Sequence, residues 1–139
     1  VLALTARRVD SWWHANDVLL TRKADDGLHF ERVALGAGAE ASEGDRGVAV
    51  AAGDLDGDGA QDVAVGTAGG TLSLFLGDGH GGFVSEASPE LAVPAEGCRV
   101  YGLHAVDLDG DGADELLVGA AGERCRGGGS LRVWKSTRR

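Results

Sequence analysis

An all-β chain assembled from repeated antiparallel units is the fold class the sequence predicts, and three observations predict it. Glycine supplies 24 of the 139 residues, whereas proline supplies only 2. A glycine-rich acidic segment occurs twice, as GDLDGDGAQDVAVG at 53–66 and VDLDGDGADELLVG at 106–119. Short apolar runs bounded by turn residues flank both copies. Glycine costs roughly 1 kcal/mol at each interior helical site, so this composition opposes helices. It has no three-residue period, which excludes collagen. With 43% apolar residues the chain can build a core, which argues against disorder.

The two acidic segments lie 53 residues apart, counted from Asp54 to Asp107. That offset is close to the ~40–50 residues of one propeller blade. The elements follow in order. Residues 1–4, 17–21 and 28–33 read as three strands, the last two joined by a hairpin at Asp25-Asp26-Gly27. Residues 48–52 and 63–65 are apolar runs on either side of the first acidic loop. Over 71–76 leucine alternates at Leu72, Leu74 and Leu76, the period of a half-buried strand. The turn cluster GDGHGG follows at 77–82, and 83–87 forms a fourth strand. The second copy repeats this pattern, with strands at 100–106, 115–118 and 130–134 and a hairpin tip at 127–129. The chain is therefore expected to hold about two and a half four-stranded units: a partial one at 1–44, a full one at 45–95, and one at 96–139 without its last strand. It contains no Met, even at position 1, and starts within a repeat. It is expected to be processed or to belong to a longer array.

Each acidic loop has the form D-x-D-G-D-G-x-x-[DE]. Asp54, Asp56 and Asp58 stand two apart, as do Asp107, Asp109 and Asp111. The intervening glycines let the backbone curl into left-handed conformations, which turns alternate carboxylates toward one centre. Asp62 and Glu115, at position nine, can close the shell, and the carbonyls of Ala60 and Ala113 are natural backbone ligands. Setting these eight carboxylates aside leaves 14 acidic residues against 13 basic ones, so most of the net charge of −9 resides in the two loops. Converging carboxylates repel by about 1 kcal/mol per pair at 4 Å even in water. Hard oxygen donors in this number suit Ca²⁺, with 6–8 ligands, better than Mg²⁺. Zinc prefers Cys and His. An EF-hand is excluded, because its twelfth position requires a bidentate Glu and Val65 or Val118 stands there. Asp114, at position eight, reads as solvent-facing.

These residues resemble the FG-GAP repeats, also called VCBS or integrin-α-type repeats. The match is strongest over 46–84 and 100–134. The family's Phe-Gly pair is replaced by Arg46 and Gly47, and its Gly-Ala-Pro by Gly66, Thr67 and Ala68 and by Gly119, Ala120 and Ala121. The resemblance implies a partial β-propeller of antiparallel FG-GAP/VCBS blades, with Ca²⁺ in two sites, each in the hairpin between strands one and two. It implies a calcium-binding scaffold for adhesion or binding in a secreted or cell-surface protein. A lectin-like module, or the non-catalytic part of a larger extracellular enzyme, is the alternative.

The remaining signals narrow the partners. The acidic balance argues against nucleic acid, which needs a basic surface. No run of 18 apolar residues could form a membrane-spanning helix. Cys98 precedes one strand and Cys125 follows its antiparallel neighbour, so a disulfide is expected. Such a bond fits an extracellular or periplasmic compartment. No nucleophile–base motif involves a cysteine or any of His14, His29, His80 and His104, and no enzymatic activity is expected. Trp12 and Trp13 fall in a long connection, where they could stack on a sugar or protein ligand or pack between neighbouring blades. Exposed strand edges are expected to be covered by further blades or by copies of the chain.

Overall fold

The computed structural model describes residues 3–5, 8–9, 12–14, 17–35, 40–41, 47–86 and 98–136, and every regular element among them is a strand. In chain order these are β1 (Ala3–Thr5), β2 (Arg8–Val9), β3 (Trp12–His14), β4 (Asp17–Ala24), β5 (Gly27–Ala34), β6 (Glu40–Ala41) and β7 (Gly47–Gly53). They continue as β8 (Asp62–Thr67), β9 (Leu72–Gly77), β10 (Phe83–Glu86), β11 (Arg99–Val106), β12 (Glu115–Ala121) and β13 (Gly129–Trp134). They form four antiparallel sheets, in the orders β1-β4-β5, β2-β3-β6, β10-β9-β8-β7 and β11-β12-β13. Val1, Leu2, Arg46 and Ala87, and the expected unit boundaries at 44/45 and 95/96, lie outside the described residues.

The four-stranded sheet is an up-and-down meander, as short turn-rich connections require. Its centre is β8, where all six residues are buried. Alternation sends Val63 and Val65 to one face, against Leu35 at the end of β5, and Ala64 to the other. There Ala51, Leu55, Ala64 and Leu74 meet Val100, Leu116 and Val118 of the β11-β12-β13 sheet. The leucine alternation of β9 therefore marks this interface, while Phe75, on its opposite face, is partly buried beside Val63 and Val65. The strand is half-buried as expected, with Leu74 its one buried residue.

The close approach of the two sheets depends on residues without side chains. A Cβ at Gly66 would lie 2.3 Å from Val100 Cγ1, and one at Gly53 would lie 2.7 Å from the Cβ of Ala105. Val100 is β-branched and buried, so it cannot swing aside.

The 53-residue repeat extends to irregularities. The β7–β8 register shifts between Gly47 and Ala49, and the β11–β12 register shifts between Val100 and Gly102, at the same relative place. Each leaves one exposed residue, Val48 or Tyr101, on the bulge.

Two expectations are corrected. Trp12 and Trp13 do not lie in a loop: they form β3, which pairs with β2 through Arg8 and Val9 and with β6 through Glu40 and Ala41. Strands of two or three residues carry too little periodicity to be read from sequence, and long-range pairing alone defines them. The side chains of Trp12 and Trp13, and with them the ligand-surface reading, lie outside the described part of the molecule. The second correction, at Asp114, belongs to the acidic loops.

Candidate metal centres

The two acidic loops, 54–61 between β7 and β8 and 107–114 between β11 and β12, share one hydrogen-bond plan. Asp54 Oδ1 accepts from the Gly57 amide at 2.8 Å and Oδ2 from Gly59 at 2.9 Å. Asp107 does the same with Gly110 and Gly112, at 2.7 and 3.1 Å. Asp56 and Asp58 each accept from the amide two residues on, at 3.2 and 2.7 Å. Asp109 and Asp111 repeat this at 3.3 and 3.1 Å. These are successive Asx turns, and they need a left-handed residue at both glycines of each loop. Gly57 and Gly59 have φ of 80° and 87°, and Gly110 and Gly112 have φ of 78° and 95°.

The position-nine carboxylates close each loop from beneath. Asp62 is fully buried; its Oδ2 accepts from Leu55 N at 2.8 Å and its Oδ1 from Gly77 N at 2.9 Å. Glu115 Oε2 accepts from Leu108 N at 2.8 Å. Asp62 thus has both oxygens committed to backbone amides and acts first as the peg on which the loop is hung.

The turns bring carboxylates together. One oxygen from each of Asp54, Asp56 and Asp58 lies within 4.8 Å of the others, and so do oxygens of Asp107, Asp109 and Glu115. Burial, followed by the charges of Asp58 and Asp54, holds the Asp56 carboxyl above its ordinary range despite the Asp58 amide. Burial also raises Asp62, against the pull of the Gly77 and Leu55 amides. Such a cluster resists ionisation alone and is relieved by a cation. The donors are all oxygen, so each group could hold a hard metal ion. Asp111 is absent from the second converging group, and Asp62 from the first. The structure leaves the Ala60 and Ala113 carbonyls unassigned as ligands.

Asp114 does not face solvent alone. Its Oδ2 accepts from Asp54 N at 3.0 Å, and its amide donates to Asp54 O at 2.7 Å. The second loop is thereby clasped to the first. The corresponding residue of the first loop, Gln61, is exposed, so the residue at position eight is used only where a neighbouring loop can be reached. A cavity of about 290 Å³ opens between the loops, lined by Asp56, Asp111, Asp114, Lys135 and Ser136 among others.

Lys135 is the other residue that sequence reasoning missed. Its Nζ donates to Asp109 Oδ2 at 2.5 Å and to Asp111 Oδ2 at 2.8 Å. It also forms an ion pair 2.8 Å from Glu115 Oε1, without hydrogen-bond alignment. No loop motif contains it; only the register of β13 on β12 brings it there.

Cys98, just before β11, and Cys125, in the loop after β12, are joined by a disulfide. With Ala120 they form a small buried cluster.

Residues 54–118 match the family model of the FG-GAP-like repeat, a stretch that runs from the first carboxylate of one loop through the second loop into β12. No curated protein matches the chain.

Proposed function

We propose, from the match of residues 54–118 to the FG-GAP-like repeat, that this chain is a calcium-binding β-propeller segment that acts as a non-catalytic binding scaffold in a secreted or cell-surface protein. The observation that carries the reading is that three carboxylates converge at the corresponding loop of each repeat, Asp54, Asp56 and Asp58 in one and Asp107, Asp109 and Glu115 in the other. Asp54, Asp56 and Asp58 would hold one ion, and Asp107, Asp109, Asp111 and Glu115 the other, with the Ala60 and Ala113 carbonyls completing the shells. Calcium is preferred because its large, flexible oxygen shell tolerates loop carboxylates of this kind. Its role is to neutralise the loops and so staple the hairpins. The disulfide supports an oxidising compartment.

Thermal melting tests this. At 100 times its Kd a ligand adds about 2.7 kcal/mol per site. Millimolar Ca²⁺ is therefore expected to raise the melting temperature relative to EDTA, and Asp56→Ala and Asp109→Ala each to remove part of the gain. Identical melting in calcium and EDTA would sink the calcium reading.

The propeller reading has separate support. Between the two stacked sheets, Leu55 and Leu74 are 0% and 1% exposed. The residues at the same places one repeat later, Leu108 and Val133, are 55% and 56% exposed, with Leu131 beside them. We propose that another blade of the same kind covers this face. The 139-residue chain by itself is then expected to self-associate through it, and the double variant Leu108→Glu/Val133→Glu to become monomeric. Sedimentation showing a monomer at all concentrations for the unaltered chain would refute this.

A further inference from the structure

We propose that Lys135 is a built-in counterion of the second acidic loop and competes with calcium for its carboxylates, so that the two loops have unequal calcium affinities. The competition rests on the calcium reading above; the counterion does not.

The argument begins with position. Trp134 pairs with Leu116 as Phe75 pairs with Val63, so Lys135 corresponds to Leu76 in the preceding repeat. Leu76 packs into the core between the sheets, whereas Lys135 reaches three carboxylates of its own loop. Two of those, Asp109 and Glu115, belong to the converging group of the second centre. The ammonium therefore stands where a cation would be held.

The contrast at position nine is equally direct. In the first repeat the outer oxygen of Asp62 is satisfied by the Gly77 amide. In the second, the longer Glu115 projects Oε1 to the Lys135 ammonium. The ammonium donates to Asp109 and Asp111 and stands 2.8 Å from Glu115 Oε1, and a lysine is charged across the physiological range. Its backbone is pinned by the end of β13, which makes the encounter intramolecular. A metal entering this loop must displace an ion that is always nearby, and the displaced ammonium then borders the same cleft. The first loop has Leu76 at that place. It is expected to fill at lower calcium.

Two measurements decide the matter. Lysine acylation by acetic anhydride, followed by mass spectrometry, reads the state of the ammonium without metal. In EDTA, Lys135 is expected to react at least about tenfold more slowly in the native chain than in the urea-unfolded chain. Asp109→Asn should restore much of the rate, and calcium should also accelerate it. Calorimetric calcium titration in an Asp56→Ala background, with the first loop disabled, reads the competition. There Lys135→Met, or Lys135→Gln if the first variant folds poorly, is expected to tighten the remaining site about tenfold or more. Equal acylation of native and unfolded chains would overturn the counterion. Equal calcium affinities with and without the lysine would overturn the competition. If neither background binds calcium, the calcium reading and the competition fall together, while protection from acylation in EDTA would still uphold the counterion.

Discussion

Replacing Cys98 and Cys125 together by serine is expected to lower the unfolding free energy by about 3–4 kcal/mol, the chain-entropy value for a loop of this length. The cysteines are 27 residues apart, and the bond closes the ring that contains β11, the second acidic loop and β12. It also sits where the two stacked sheets meet, since a Cβ at Gly70 would come within 2.3 Å of the Cys98 carbonyl oxygen. Opening the ring thus frees the second acidic loop and loosens its junction with the first sheet. Urea unfolding of the unaltered chain and of the double serine variant, both in EDTA, measures the difference. A change below about 1 kcal/mol would mean that the sheets hold the ring without the bond. Two free thiols in protein isolated under oxidising conditions would count against the extracellular assignment.

Asp62→Ala is expected to cost about 2–4 kcal/mol. The side chain is completely buried and satisfies two backbone amides, Leu55 on the loop and Gly77 at the end of β9. Alanine would leave both without an acceptor and would free Leu55, whose side chain is itself fully buried between the sheets. The calcium affinity proposed for the first loop should weaken as well, although Asp62 is outside its converging group. The pH dependence has a definite sign. Burial raises the folded-state pKa of Asp62 above its unfolded value. In EDTA its contribution to stability is therefore fully present below the unfolded pKa, about 4, and declines as pH rises through the folded pKa. The unaltered chain should gain stability relative to Asp62→Asn as pH is lowered from neutrality through that window. A gap between the two that stays constant with pH, or an alanine variant as stable as the parent, would show that Asp62 does not carry the loop.

The acidic loops were legible in the sequence because their geometry is local. Each Asx turn joins residues two to five positions apart, and glycines stand at the residues whose φ must be positive. Strands β7 to β9 and β11 to β13 were legible for a similar reason, since alternation and turn clusters act within a few residues. The short β2, β3 and β6 were not, because nothing within two or three residues distinguishes a strand from an irregular connection.

The β character, the repeat and the inward turn of the carboxylates are thus properties of short stretches of chain. The difference between the two near-identical loops arises from long-range packing. That packing clasped Asp114 to Asp54, committed both oxygens of Asp62 to amides, and placed the Lys135 ammonium on Asp109, Asp111 and Glu115. It also buried Leu55 while leaving Leu108 exposed. Equal local sequences curl equally, because they contain the same short-range hydrogen bonds. What each loop touches depends on strand register and on which sheet stacks against it. Those partners lie tens of residues away, where no local pattern can record them.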